Sequence, residues 1–146
     1  MTWTPPTRMI RASLAVVGLA GLAVATYLTV ERALGRAPSC VVGGGCAQVQ
    51  ASRYSELVGV PVAWLGIAAY LGIILAAAIP GARGALLGLF VTAISVGLSG
   101  WLTYVELGIL EQVCAWCVAS AILAVLAFGL SLARLASVTP LEMTGT

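Results

Sequence analysis

The sequence predicts an all-α integral membrane protein: four transmembrane helices in a bundle, with one long extracytoplasmic loop carrying a short interfacial helix. Three observations lead there. The 146 residues are 61% hydrophobic and only 8% charged, against roughly 25% charged in a soluble domain. Such a chain cannot clothe a water-facing surface with polar groups. Four apolar runs, 12–30, 61–79, 84–105 and 113–136, come close to or exceed the about 20 residues a helix needs to cross a bilayer, and none holds a charge near its centre. The remaining sizeable polar stretch is the segment 31–60. The length suits one domain covering residues 1–146.

The first run follows Arg8 and Arg11 and contains Ala23-Val24-Ala25. It therefore has a rival reading as a cleavable signal peptide, but it is longer than the usual apolar region of about 7–15 residues. In the loop, Pro38 and Gly43-Gly44-Gly45 make a flexible middle beside Cys46. Residues 52–58 suit a short helix lying at the interface, with Tyr54, Leu57 and Val58 as its apolar face. Pro61 fits a first helical turn, where its missing N–H costs nothing. Pro80-Gly81-Ala82-Arg83 reads as a tight turn between helices. Gly84, Gly88, Ser95, Gly97, Ser99 and Gly100 would let the third helix pack closely against its neighbours.

Four spans place 31–60 and 106–112 on one side, and both termini with Arg83 on the other. Arg8, Arg11, Arg83 and Arg134 outnumber Arg32, Arg36 and Arg53, which favours cytoplasmic termini. Both cysteine pairs, Cys40/Cys46 and Cys114/Cys117, then fall on or at the edge of the extracytoplasmic side, where disulfides persist.

The chain contains no histidine, which excludes imidazole-based triads, haem ligation by histidine and mixed Cys/His zinc sites. With five acids and a net charge of +2, neither general acid–base hydrolysis nor nucleic-acid binding is expected. Thiol chemistry remains. Cys114-Ala115-Trp116-Cys117 opens an apolar helix, whose free amides and dipole stabilise a thiolate. Cys114 would lie near the first turn, with one sulfur reachable from the loop. Cys117, one turn deeper, would point toward the membrane core and suit an acceptor dissolved in lipid. The alternatives are buried cysteines acting as small hydrophobes, a static Cys40–Cys46 disulfide, and a four-thiolate zinc site; no metal is expected. Trp64, Trp101 and Trp116 sit near the outer ends of their spans. They suit an aromatic belt, or, for Trp64 and Trp116, the lining of a pocket for an aromatic head group.

The order of these features resembles the vitamin K epoxide reductase family in its bacterial branch. The matching stretches are Cys40-x5-Cys46, Ser52-x-Tyr54-Ser55, Gly59-Val60-Pro61-Val62-x-Trp64-x-Gly66 and Cys114-Ala115-Trp116-Cys117. The resemblance implies a four-helix bundle around a quinone, covered by the long loop. It implies that Cys114–Cys117 is the active-site disulfide, with Cys117 beside the quinone ring. Cys40–Cys46 would be the shuttle pair that takes electrons from a DsbA-like thioredoxin-fold partner and passes them from Cys46 to Cys114. Ser52 would belong to the loop helix that closes the pocket, or simply cap it. Ala121 stands where animal members carry a tyrosine that contacts vitamin K, and Val41 where they carry an acid. The acceptor is therefore read as a membrane quinone, menaquinone or ubiquinone, and the setting as the bacterial inner membrane. No thioredoxin-like domain accompanies the bundle in this chain, so the partner is expected as a separate protein. The alternative is a small four-helix, proton-coupled multidrug-type transporter, which would need an intramembrane carboxylate.

Overall fold

The computed structural model describes residues 5–36, 51, 53, 56–111 and 113–145. Cys40, Cys46, Ser52, Tyr54 and Ser55 lie outside them. Helix α1 (Pro5–Ala33) opens on two prolines, whose fixed φ and absent N–H suit a first turn. It closes at Gly35, held at φ 70°. There the Arg36 N–H reaches back to the Glu31 carbonyl (2.9 Å) and the Gly35 N–H to that of Arg32 (3.1 Å), the Schellman arrangement that glycine permits.

A two-stranded hairpin follows, β1 (Glu56–Leu57) against β2 (Val60–Pro61). This corrects the expectation of a helix reaching Val58. The turn places Val58 at φ 54° and Gly59 at φ 81°, the two positive angles of a type I′ hairpin turn. Glu56 also pairs with Arg32 at 2.9 Å, tying the hairpin to the end of α1.

Helix α2 (Val62–Ala78) is followed by the Ile79-Pro80 turn and α3 (Gly81–Tyr104). Backbone bonding then widens to a π-helical segment, Val105–Leu110. The last helix, α4, spans Ala115–Gly145. The segments Arg8–Ala33, Gly81–Leu110 and Ala115–Ser137 are long and apolar enough to cross a membrane. Helix α2 has 17 residues, about 26 Å of rise and the lower edge of a spanning length.

The helices close into a ring: α1 packs on α2, α2 on α3, α3 on α4 and α4 on α1. Leu14, Ala25, Tyr70, Ile73, Ala77 and Ala127 form the core. Many large apolar side chains point outward, among them Leu19, Leu71, Phe90, Ile94, Ile122 and Val125. A water-soluble surface does not carry such a continuous apolar belt. The molecule is a multi-pass membrane bundle of four helices.

The end of the bundle remote from the cysteines is held by two arginines. The last carbonyls of a helix lack intrahelical partners, and α2 ends inside the bundle. Arg11 from α1 donates to the carbonyls of Ala77 (2.8 Å) and Ala78 (3.0 Å). Arg134 from α4 donates to those of Ala76 (2.7 Å) and Ile79. The two cations also face the negative end of the α2 dipole. Gly84 at the start of α3 leaves room for this knot: a β-carbon there would fall 2.6 Å from Arg134 Nη2 and 2.7 Å from the Ala76 oxygen.

Candidate functional site

Cys114 is the N-cap of α4. Its carbonyl accepts the first intrahelical bond, from the Val118 N–H at 3.0 Å. Its sulfur accepts from the Cys117 N–H at 3.4 Å, the first-turn amide that favours negative charge on sulfur. The two cysteines are not joined to each other. Cys114 is fully buried, packed among Leu110, Ala115, Trp116 and Cys117. Cys117 is half-buried and faces inward.

Inward lies a cavity of about 110 Å³ lined by all four helices. An apolar cavity of about 150 Å³ accommodates benzene, so this space is on the scale of a single ring. Val24, Leu28, Leu65, Leu98 and Leu102 supply apolar walls, while Cys117, Glu106, Tyr70, Ser95 and Ser120 supply polar points. Cys114 is not part of the lining. The Tyr70 hydroxyl lies 2.9 Å from the Ser120 carbonyl and 2.7 Å from its Oγ, bridging α2 to α4. Its ring occupies the space above Gly21 of α1, where a β-carbon would fall 2.0 Å from the ring edge.

The aromatic expectations divide. Trp64 is 57% exposed on the outer side of α2 and does not line the cavity, although its neighbours Ala63 and Leu65 do. Trp116 packs against Tyr27 with ring centroids 4.9 Å apart and covers Cys114; it too stays out of the cavity wall. Trp101 and Tyr104 stack at 5.9 Å on the exposed face of α3. Trp64, Trp101 and Tyr104 thus stand where an interfacial aromatic belt would.

Glu106, for which the cysteine and aromatic motifs give no role, belongs to the site as well. It is buried in the π-helical segment and lines the cavity. Its Oε2 accepts the Cys114 N–H at 3.1 Å, and it lines the same cavity as Cys117. π-Turns recur at functional sites because the extra residue re-aims a side chain. The one sequence signal was a carboxylate inside the apolar run 105–110, eight positions before Cys114.

The bundle thus holds a Cys-x-x-Cys at a helix start, with one sulfur in a ring-sized cavity between membrane helices. The chain belongs to the vitamin K epoxide reductase family, whose model matches residues 12–132 of the 146. That membership makes it, broadly, a membrane thiol–disulfide oxidoreductase linked to quinones, and it displaces the transporter alternative.

Proposed function

We propose that the protein reoxidises a DsbA-like thioredoxin-fold partner and passes the electrons through two cysteine pairs to a membrane quinone, supporting disulfide formation outside the cytoplasm of a bacterium. The partner's dithiol reduces Cys40–Cys46 by thiolate attack and a mixed disulfide. Cys46 then exchanges with Cys114, and the Cys114–Cys117 dithiol reduces the quinone.

The observation that carries this reading is the division of labour within one Cys-x-x-Cys. Cys117 stands in the cavity wall while Cys114 caps the helix outside it. The cavity suits a quinone head group, being ring-sized and mostly apolar with a few polar points. Cys117, Glu106, Tyr70 and Ser120 would hold the ring. The quinone supplies the two-electron acceptor, and the protein supplies proximity and a dry site.

Membranes containing the protein, a reduced DsbA-like partner and added menaquinone or ubiquinone should oxidise the partner. Serine at Cys114 or Cys117 should abolish this turnover, and undiminished turnover would overturn the proposal. A reduced partner whose second cysteine is replaced by serine should attack the Cys40–Cys46 disulfide, release the Cys46 thiolate and stay held as a mixed disulfide through Cys40.

A further inference from the structure

Glu106 is a carboxylate buried in the bundle, and no cation pairs with it among the described residues. A buried charge without a cation is costly. A structural role, accepting the Cys114 N–H, would be met equally well by the neutral oxygen of a glutamine. What glutamate adds is the capacity to take up and release a proton. Its neighbours are suited to that. The carboxylate is bonded to the N–H of Cys114, whose sulfur the Cys117 N–H approaches at 3.4 Å, and it borders the cavity together with Cys117. The other titratable cavity residue, Tyr70, has its hydroxyl engaged with Ser120, and α1 contributes only Val24, Ala25 and Leu28 to the wall.

We propose that Glu106 is the proton carrier of the dithiol site, taking the Cys117 thiol proton as the Cys114–Cys117 bond forms and delivering it to an oxygen of the quinone in the cavity. This rests on the proposed quinone reading of that cavity. The step balances. Two S–H bonds break, one S–S bond forms, and the pair gives up two electrons and two protons. The quinone gains both electrons and becomes the quinol. Glu106 moves one proton, from Cys117 to one quinone oxygen, and is a carboxylate again afterwards. Cys114 releases its proton to water, and the second quinone oxygen takes one from water.

The test uses the full-length protein in nanodiscs. The first readout needs no quinone: infrared difference spectra between protein reduced by dithiothreitol and protein reoxidised by a soluble disulfide. Oxidation removes the Cys117 S–H in the cavity that Glu106 borders, so a carboxyl band should change in the native protein and vanish from the difference spectrum of Glu106→Gln. The second readout is single-turnover oxidation of the reduced protein by ubiquinone. Glu106→Gln should slow it about 10²–10⁴-fold, the usual worth of positioned acid–base catalysis, and Glu106→Asp should recover part of that rate. A native difference spectrum without a carboxyl change, or a Glu106→Gln rate equal to the native rate, would overturn the proposal. If Glu106→Gln does not fold, as judged by its thermal midpoint, the native spectrum and Glu106→Asp decide alone. If the native protein fails to reduce ubiquinone or menaquinone, the quinone reading falls, while the infrared arm still reports whether Glu106 exchanges its proton with Cys117.

Discussion

At the scale of single residues, two positions are held by geometry that local preference opposes. Val58 sits at φ 54° with its side chain 96% exposed, so no packing repays the left-handed conformation, which costs a β-branched residue roughly 1–2 kcal/mol. Val58→Gly should relieve most of that. Amide hydrogen exchange at Leu57 and Val60 should slow in the variant, and unchanged exchange would show that the turn is not the weak point of the hairpin. Gly21 is the converse case, a small residue kept small by a neighbour. A methyl there drives into the Tyr70 ring, and overpacking of this kind costs about 1–3 kcal/mol. Gly21→Ala should lower the thermal midpoint in detergent and loosen the Tyr70–Ser120 bond. Tyr70→Phe in the same background separates the two effects, because it removes the hydroxyl without relieving the clash.

At the scale of elements, the helices were legible because lipid solvation demands long apolar segments, and composition alone reveals those. Which face of a helix turns inward was not. Helix α2 is apolar all round, so nothing in its periodicity distinguished Trp64, which faces out, from Tyr70, which faces in. The hairpin was missed for a related reason: Leu57 and Val58 read as one sticky helical face, and valine is a poor local signal for a left-handed turn. The π-turn hid Glu106, since an extra residue in the turn re-aims the side chain away from where a regular helix would put it. Arg11 and Arg134 counted only as topological charges, yet they complete the end of α2. Removing Arg134 leaves the carbonyls of Ala76 and Ile79 without partners inside the bundle, at about 1–3 kcal/mol for each buried group left unsatisfied. Arg134→Met should therefore lower the thermal midpoint markedly. Arg134→Lys should fall between, because one ammonium cannot fork across two carbonyls as a guanidinium does. A methionine variant as stable as the native protein would show that water or lipid head groups satisfy those carbonyls instead.

At the scale of the whole molecule, the four helices do for the cavity what none does alone. Each contributes a wall, and Cys117 stands in it. The cysteine motif was visible in the sequence; the enclosure around it was not, because it depends on which face each helix buries. That dependence makes the cavity separable from the cysteines by mutation. Ala69 lies in the α2 wall, whereas the adjacent Ala68 is exposed on the outside of the same helix. Ala69→Phe should place a ring in a space on the scale of one ring, while Ala68→Phe should add the same group to the lipid-facing side. If the quinone is reduced in this cavity, Ala69→Phe should weaken its use at least about tenfold, which is about 1.4 kcal/mol of binding. Ala68→Phe should leave it near the native value. Reduction of the Cys114–Cys117 disulfide by dithiothreitol should proceed in both variants, since neither substitution touches the helix N-terminus that holds Cys114. Equal quinone turnover in the two variants would mean that the acceptor meets Cys117 from outside the bundle, and the cavity would lose its assigned role. Loss of dithiothreitol reduction in Ala69→Phe alone would instead mean that the added ring displaces α4, and the thermal midpoint would fall with it.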